Sequence, residues 1–155
     1  MRMESQTMYH YTESGLPNIW LVNGYTVTDT PYGKGVSIND LKGLHRVIGQ
    51  ALLSKSRLTG AEIRFLRKEL GCSQKGLAEI IGASEQTVSL WERDRGQIQP
   101  AADRILRLFY AEHIAGNLQV RKFMEQRAEA ERERQPRARK LTLEKGRTWR
   151  EAVAA

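Results

Sequence analysis

The feature that most constrains this chain is the stretch from Cys72 to Arg93, which has the pattern of two short helices joined by one glycine. Ser73 and Ser84 each stand where the N-cap of a helix is needed. Gly82 lies between the two helices, where the first must end and the chain must reverse, a place that favours a residue able to adopt positive φ. The stretch therefore predicts two short helices held close together.

The two helices have distinct inner and outer faces. Ala78 is small at the point where the helices cross, and Val88 and Trp91 supply an apolar underside for the second helix. The opposite face of that helix is polar and consists of Glu85, Gln86 and Ser89. Leu90 and Arg93 lie partly on this face. Two helices that only packed together would not need such a face. This is the helix-turn-helix pattern, with one face left for a partner.

Further short helices flank this pair. Thr59 and Glu62 match a capping box that opens a helix ending near Leu70, and Gly71 is placed as its stop. A loop from Asp94 to Pro100 follows the pair, and another helix covers residues 101–113. The apolar residues predicted to face inward are Ile63, Leu66, Leu70, Leu77, Ala78, Ile81, Val88, Trp91, Ile105, Leu106, Leu108 and Phe109.

The N-terminal part predicts a small sheet. Two β-favouring runs, at residues 20–22 and 25–27, are separated by Asn23-Gly24, a strong two-residue hairpin signal. A second turn is predicted at residues 30–33, before a short strand over residues 35–38. A sheet of this size needs something to pack against.

A helix from about Asp40 to Ser54 can supply that support, with Asn39 or Ser37 as its cap. His45 lies near the edge of its apolar face and is interpreted as a rim or core histidine rather than a ligand, because no second ligand stands nearby. The apolar face itself consists of Leu41, Leu44, Val47, Ile48, Ala51 and Leu52.

The net charge of +7 is concentrated at the C-terminal end. Residues 1–56 and 57–113 each carry +1, whereas residues 114–155 carry +5. We expect a frayed helix to about residue 134, a break at Pro136, and disorder or induced order beyond, for which a solvated tail is the simpler interpretation. The predicted fold class is α+β. A β-plus-helix module covers residues 1–56, an all-α domain 57–116, and a charged tail 117–155.

Several classes of protein are disfavoured. The longest apolar runs are only a few residues, so no membrane span is expected, and the absence of a secretory signal pattern favours a soluble cytoplasmic protein. One cysteine, Cys72, and three scattered histidines predict no metal site. No set of catalytic residues is brought together by its sequence neighbours, and Gly33-Lys-Gly is too short for a phosphate loop. We therefore expect neither catalysis nor a cofactor.

The region from Ala61 to Phe109 resembles the phage-repressor-like (Xre/Cro-type) helix-turn-helix family. The resemblance is carried by the Leu-Ala, Gly, Thr-Val and Trp-Glu-Arg positions between Leu77 and Arg93, and by the helix after Pro100. It implies that Glu85, Gln86 and Ser89 read bases of double-stranded DNA. It also implies that the DNA backbone is contacted by Ser73, Gln74, Thr87, Arg93 and Arg95.

The chemistry of these residues fits the implied roles. A helix N-terminus offers free N–H groups to a phosphate, and a glutamine forms paired hydrogen bonds with adenine in the major groove. Glu85 can accept a hydrogen bond from cytosine, but it is equally consistent with a carboxylate favoured by the helix dipole. The loop that carries Arg95 is longer than the brief glycine turn often seen in this family. Arg93 and Arg95 are expected to lie along the phosphates, and the alternative is that both are simply solvated.

The whole chain also resembles antitoxin-type regulators of the zinc-finger/helix-turn-helix branch. Those proteins carry two Cys-x-x-Cys pairs in their N-terminal module, and this sequence has none. The resemblance there is architectural only, so it implies no zinc.

Two functions follow as expectations. The first is a dimeric, sequence-specific repressor, and the second is an antitoxin that neutralises a partner toxin and binds DNA for autoregulation. A weaker third idea is non-specific binding of RNA or DNA by the tail. The homodimer contact is assigned either to the N-terminal module or to the helix 101–113 with its extension, whose apolar residues are Leu118, Val120, Phe123 and Met124.

Overall fold

The computed structural model describes residues 7–132, 138 and 140–152. Over these residues the predicted α+β class is confirmed: helices form most of the structure, and the strands form three antiparallel pairs. The strands are β1 (Tyr9–His10), β2 (Trp20–Leu21), β3 (Tyr25–Thr30), β4 (Gly33–Ile38), β5 (Leu143–Lys145) and β6 (Trp149–Glu151). The helices are α1 (Leu41–Leu53), α2 (Gly60–Glu69), α3 (Gln74–Ile81), α4 (Glu85–Glu92), α5 (Pro100–Ile114) and α6 (Leu118–Ala130).

The hairpin predicted at Asn23-Gly24 is wrong. β2 pairs with β1, and β3 pairs with β4 through the second predicted turn, in a register that joins Thr30 to Gly33. The favoured two-residue hairpin turn needs positive φ at both central residues. Gly24 has a φ of 81°, but Asn23 is not in that region, so the chain only bends there.

The first helix is also capped differently from the prediction. Asp40, rather than Asn39 or Ser37, is the N-cap of α1, and its carboxylate accepts a hydrogen bond from the Gly43 amide. Asp40 adopts a left-handed conformation with φ of 50°, which aspartate tolerates better than most residues. Its side chain therefore satisfies an amide that would otherwise lack a partner at the start of the helix.

The face that α1 buries is narrower than predicted. Ile48 and Leu52 are buried together with Gly49, whereas Leu41 and Val47 are exposed by 46% and 63%. Ala51 is exposed as well, and Leu44 is half-buried. The helix α1 thus exposes a strip of apolar side chains to solvent.

One hydrophobic core joins the N-terminal segment to the helices that follow. Tyr11, Leu16, Ile48 and Leu52 belong to the same buried cluster as the inner residues of α2 to α5. Arg107 of α5 adds a polar tie, because its guanidinium donates to the carbonyls of Leu52, Leu53 and Lys55 at the end of α1. The division of the chain at residues 56 and 116 stays a prediction.

His45 is half-buried at the centre of a chain of hydrogen bonds. Its Nε2 lies 2.6 Å from the Tyr11 hydroxyl, and its Nδ1 lies 2.7 Å from a carboxylate oxygen of Glu69. Burial, with help from the charges of Glu13 and Glu69, raises the pKa of Tyr11. Both ring nitrogens of His45 therefore serve to connect the N-terminal segment, α1 and α2.

The inner face of α5 differs from the prediction at two positions. Leu106 and Phe109 are buried as predicted, and Ile105 is half-buried, but Leu108 is 53% exposed. Tyr110 is buried in its place, 1% exposed, against α1. Because Leu108 is apolar, it was predicted to face inward, but the packing of α5 buries Tyr110 instead.

The C-terminal tail is more ordered than predicted over its last part. β5 and β6 form an antiparallel pair, in which Leu143 is opposite Glu151 and Lys145 is opposite Trp149, in a segment where disorder or induced order was expected. Thr142, Leu143, Thr148 and Trp149 favour strands and Gly146 favours the turn, a signal that the high charge of the tail obscured. Pro136, the predicted helix breaker, lies outside the described residues.

Gly49 offers a test of the contact between α1 and α5. A methyl group at this position would collide with the ring and hydroxyl of Tyr110. We therefore expect Gly49→Ala to lower the free energy of unfolding by about 1–3 kcal/mol, as overpacking does, although the same change in an open helix is stabilising. Chemical denaturation measures the difference, with Gln50→Ala on the exposed side of α1 as the control. A stabilised Gly49→Ala protein would contradict this packing.

Candidate nucleic-acid interface

The helix α4 is formed and delimited by local signals, as predicted. Ser84 is its N-cap and accepts a hydrogen bond from the Thr87 amide at 3.1 Å. Gly82 ends α3 with a φ of 81°, which only glycine adopts without strain. The two helices therefore meet across a turn whose geometry Gly82 and Ser84 determine.

The underside of α4 is anchored in the core, which confirms the predicted inner face. Val88 is fully buried and Trp91 is 4% exposed. On α3, Leu77 and Ala78 are buried where the two helices pack against each other. The outer face of α4 is held away from the core by these contacts.

The predicted base-reading residues lie together on that outer face. Glu85 and Gln86 are exposed in the first turn of α4, and Ser89 is half-buried one turn later. Leu90, beside them, is 39% exposed. The face is short and polar, and it begins at the N-terminal end of the helix.

The predicted backbone contacts fall into two groups. At the start of α3, Ser73 is the N-cap and accepts from the Gly76 amide at 2.9 Å, while Gln74 is the first helical residue. Thr87 lies within α4, where its hydroxyl is 2.8 Å from the Ser84 hydroxyl. Arg93 and Arg95 are exposed where α4 ends, and the Arg93 Nε donates to the Ser89 carbonyl at 3.3 Å.

A buried ion pair, missed in the sequence, holds the end of α4. The Arg67 guanidinium of α2 binds both carboxylate oxygens of Glu92, at 2.8 and 2.9 Å, and also donates to the Cys72 carbonyl at 2.9 Å. The side chains of Arg67 and Glu92 are 12% and 3% exposed. One guanidinium therefore joins α2, the end of α4 and the residue that precedes α3.

A second missed contact holds the loop after α4. Asp94 has a φ of 55°, and its carboxylate accepts from the Gly60 amide at 2.8 Å, at the start of α2. A Cβ atom on Gly60 would lie 2.5 Å from the Trp91 carbonyl oxygen and 2.6 Å from that of Glu92. Only glycine lets the two chain segments approach this closely. Sequence spacing gave no signal for this contact, because 34 residues separate its partners.

Cys72 is a packing residue. Burial raises the pKa of its thiol, and the nearby Arg121 and Arg67 only partly offset this effect. The thiol is therefore held in its neutral form, which is a poor nucleophile. Among the described residues, no group of three histidine, cysteine or acidic side chains is placed to hold a metal ion.

Trp91 tests the assignment of the faces of α4. Truncation of this buried indole removes a large part of the core beneath the helix, so Trp91→Ala should lower the free energy of unfolding by about 3–5 kcal/mol. Leu90→Ala, at the half-exposed neighbouring position, is the control and should cost much less. Thermal or urea unfolding compares the two proteins. Equal losses would mean that Trp91 does not face the core.

Comparison with known proteins gives one match. The helix-turn-helix family model matches residues 63–109, a little under a third of the chain, and spans α3 and α4 with most of α2 and α5. No curated protein and no solved structure matches significantly. In the parts of the chain that the structure describes, no helix is long and apolar enough to cross a bilayer. Residues 63–109 therefore form a helix-turn-helix domain, which supports the resemblance to Xre/Cro-type DNA-binding regulators.

Proposed function

We propose that the chain is a transcriptional regulator that recognises a specific double-stranded DNA site with α4. The observation that carries this proposal is the exposed polar face of α4 above a fully packed underside. An α-helix fits the major groove, where Gln86 can bind adenine and Glu85 can accept from cytosine. Ser89, one turn along, completes the base-reading set.

The proposed backbone contacts flank this helix at both ends. Ser73 and Gln74 bring the N-terminus of α3 to a phosphate, where free amide groups and the helix dipole favour an anion. Thr87, in the first turn of α4, also contacts the DNA backbone, and Arg93 and Arg95 reach phosphates beyond the C-terminal end of the helix. Such contacts fix the register of the protein without reading sequence.

We further propose that the protein acts as a homodimer and as a repressor. A single domain of this type buries limited surface on DNA, whereas two recognition helices on one site multiply affinity and specificity. A dimer that occupies a promoter blocks transcription without any further contact, which makes repression the simplest result of binding.

The N-terminal ribbon of β3 and β4 supplies the best surface for the dimer contact. Val27 and Val36 are paired across the strands and are 48% and 37% exposed. On α6, by contrast, Val120 and Met124 are half-buried, and the exposed Leu118 and Phe123 are about 140° apart around the helix. The ribbon therefore presents an apolar face that α6 does not.

Gln86 tests the recognition role of α4. Replacing it with alanine should cost about 1–3 kcal/mol of specific binding at one or two base pairs of the site. The measurement is the affinity for a duplex selected from random sequence and for its single-base variants. Gln50→Ala, exposed on α1, is the control. Unchanged discrimination in the Gln86→Ala protein would exclude this residue as a base reader.

Two matched double variants test whether the ribbon forms the dimer contact. Val27→Asp with Val36→Asp places two charges on the apolar face of the ribbon and should give a monomer in sedimentation velocity. Thr26→Asp with Ser37→Asp places the same two charges on the opposite face, at the adjacent paired position, and should leave the dimer intact. A dimer that survives the valine changes, or a wild-type monomer, would contradict the proposal.

An antitoxin-type role is the second candidate, and the same ribbon supports it. Tyr32 at its tip is fully exposed, and the apolar pair below it fits a partner protein as well as a second copy of the chain. A small toxin encoded next to this gene would favour this role, and its absence would favour the dimeric regulator. If the partner is a toxin, the valine substitutions should abolish the complex with it.

A further inference from the structure

The helix α6 lies alongside α3 and runs in the same direction. Near its start, the Arg121 guanidinium donates to the Leu70 carbonyl at 3.2 Å, just before α3 begins. Beyond its end, Arg132 lies 4.0 Å from the carboxylate of Glu79, in the last turns of α3. The chain therefore leaves α6 near the end of α3, where Gly82 leads into α4.

The position at which the chain leaves α6 limits how far away the hairpin of β5 and β6 can lie. Eight peptide steps separate Arg132 from Lys140, and fully extended they span at most about 28 Å. Lys140 lies three residues before Leu143, where β5 begins. The hairpin is thus tethered within a few tens of ångströms of the N-terminal end of α4, where the base-reading face begins.

The hairpin exposes cationic and aromatic side chains near its turn. Lys145 and Trp149 are paired across the strands and share one face, and Trp149 is 68% exposed. Arg147 is exposed in the turn between them. On the other face, Arg150 is paired with Glu144 at 2.7 Å, which neutralises both charges. The unbalanced positive charge therefore lies at the turn.

We propose that this hairpin is a second DNA-contacting element, which binds the backbone of the duplex beside the base pairs read by α4. Lys145 and Arg147 bind phosphates, and Trp149 packs its ring against the adjoining sugars. The positive charge at the turn, and a tether short enough to lie within reach of DNA bound at α4, favour duplex DNA as the partner. Glu151, the acidic residue on the same face, stands at the far end of the strands from the turn. The inference rests on the proposed DNA-binding function and extends it.

The test uses the full chain with Lys145→Ala and Arg147→Ala together. Loss of two phosphate contacts should reduce the slope of log affinity against log salt by about 1.8. At about 150 mM salt the affinity should fall on the order of tenfold or more, with base preference unchanged. The control is Lys42→Ala with Arg64→Ala, which removes two exposed charges from α1 and α2 and should leave the slope unchanged.

A cut after Gly116 would be a blunter experiment, because it also removes the contacts of α6 with α3 and α5. The point variants leave those contacts intact. Trp149→Phe adds an optical measurement: the change in tryptophan fluorescence on DNA binding should diminish in this variant, while Trp20 and Trp91 still emit.

The outcomes separate this inference from the function on which it rests. A lowered salt slope with preserved base preference supports the hairpin contact. A wild-type slope in the Lys145→Ala, Arg147→Ala protein overturns it and leaves recognition by α4 intact. An equal drop in the control variant, or a loss of affinity for RNA but not for duplex DNA, also overturns it. A wild-type protein that binds no duplex removes both proposals.

Discussion

The Arg67 guanidinium of α2 lies under the end of α4 and ties together three separate parts of the domain. Its Nε and Nη2 donate to the two carboxylate oxygens of Glu92, and its Nη1 donates to the Cys72 carbonyl, just before α3. A planar guanidinium holds these groups at fixed distances, which a lysine ammonium would not do. This contact adds a polar link to the apolar packing of Val88 and Trp91 beneath α4. Loss of either partner would leave the other buried without its counterion, which is strongly destabilising.

Local signals in the sequence predicted the helical part well. The capping box of Thr59 and Glu62, the serine caps and the stops at Gly71 and Gly82 all depend on residues within four positions of each other. Periodicity likewise identified Val88 and Trp91, and the exposed face opposite to them. Whether Glu85, Gln86 and Ser89 read bases stays a prediction, because position on a face does not establish a contact.

The features that sequence reasoning missed or misplaced depend on long-range contacts. The Asn23-Gly24 signal is local, but β3 gains more by pairing along its full length with β4 than a two-residue turn would provide. Arg67 and Glu92 are 25 residues apart, and each alone has the pattern of an ordinary surface charge. Tyr110 could not be distinguished from Leu108 because its burial depends on the space that Gly49 leaves on α1. These outcomes follow from tertiary packing, which no window of the sequence contains.

The contact between Asp94 and Gly60 also bears on how the domain opens. The carboxylate ties the loop after α4 to the first amide of α2, and the backbones pass so closely there that neither segment can shift alone. Local unfolding generally releases segments that share few contacts with their surroundings. We therefore expect the end of α4 and the start of α2 to open as one cooperative unit. Amide hydrogens in both segments would then exchange with solvent at a common rate, although they are more than 30 residues apart in the chain.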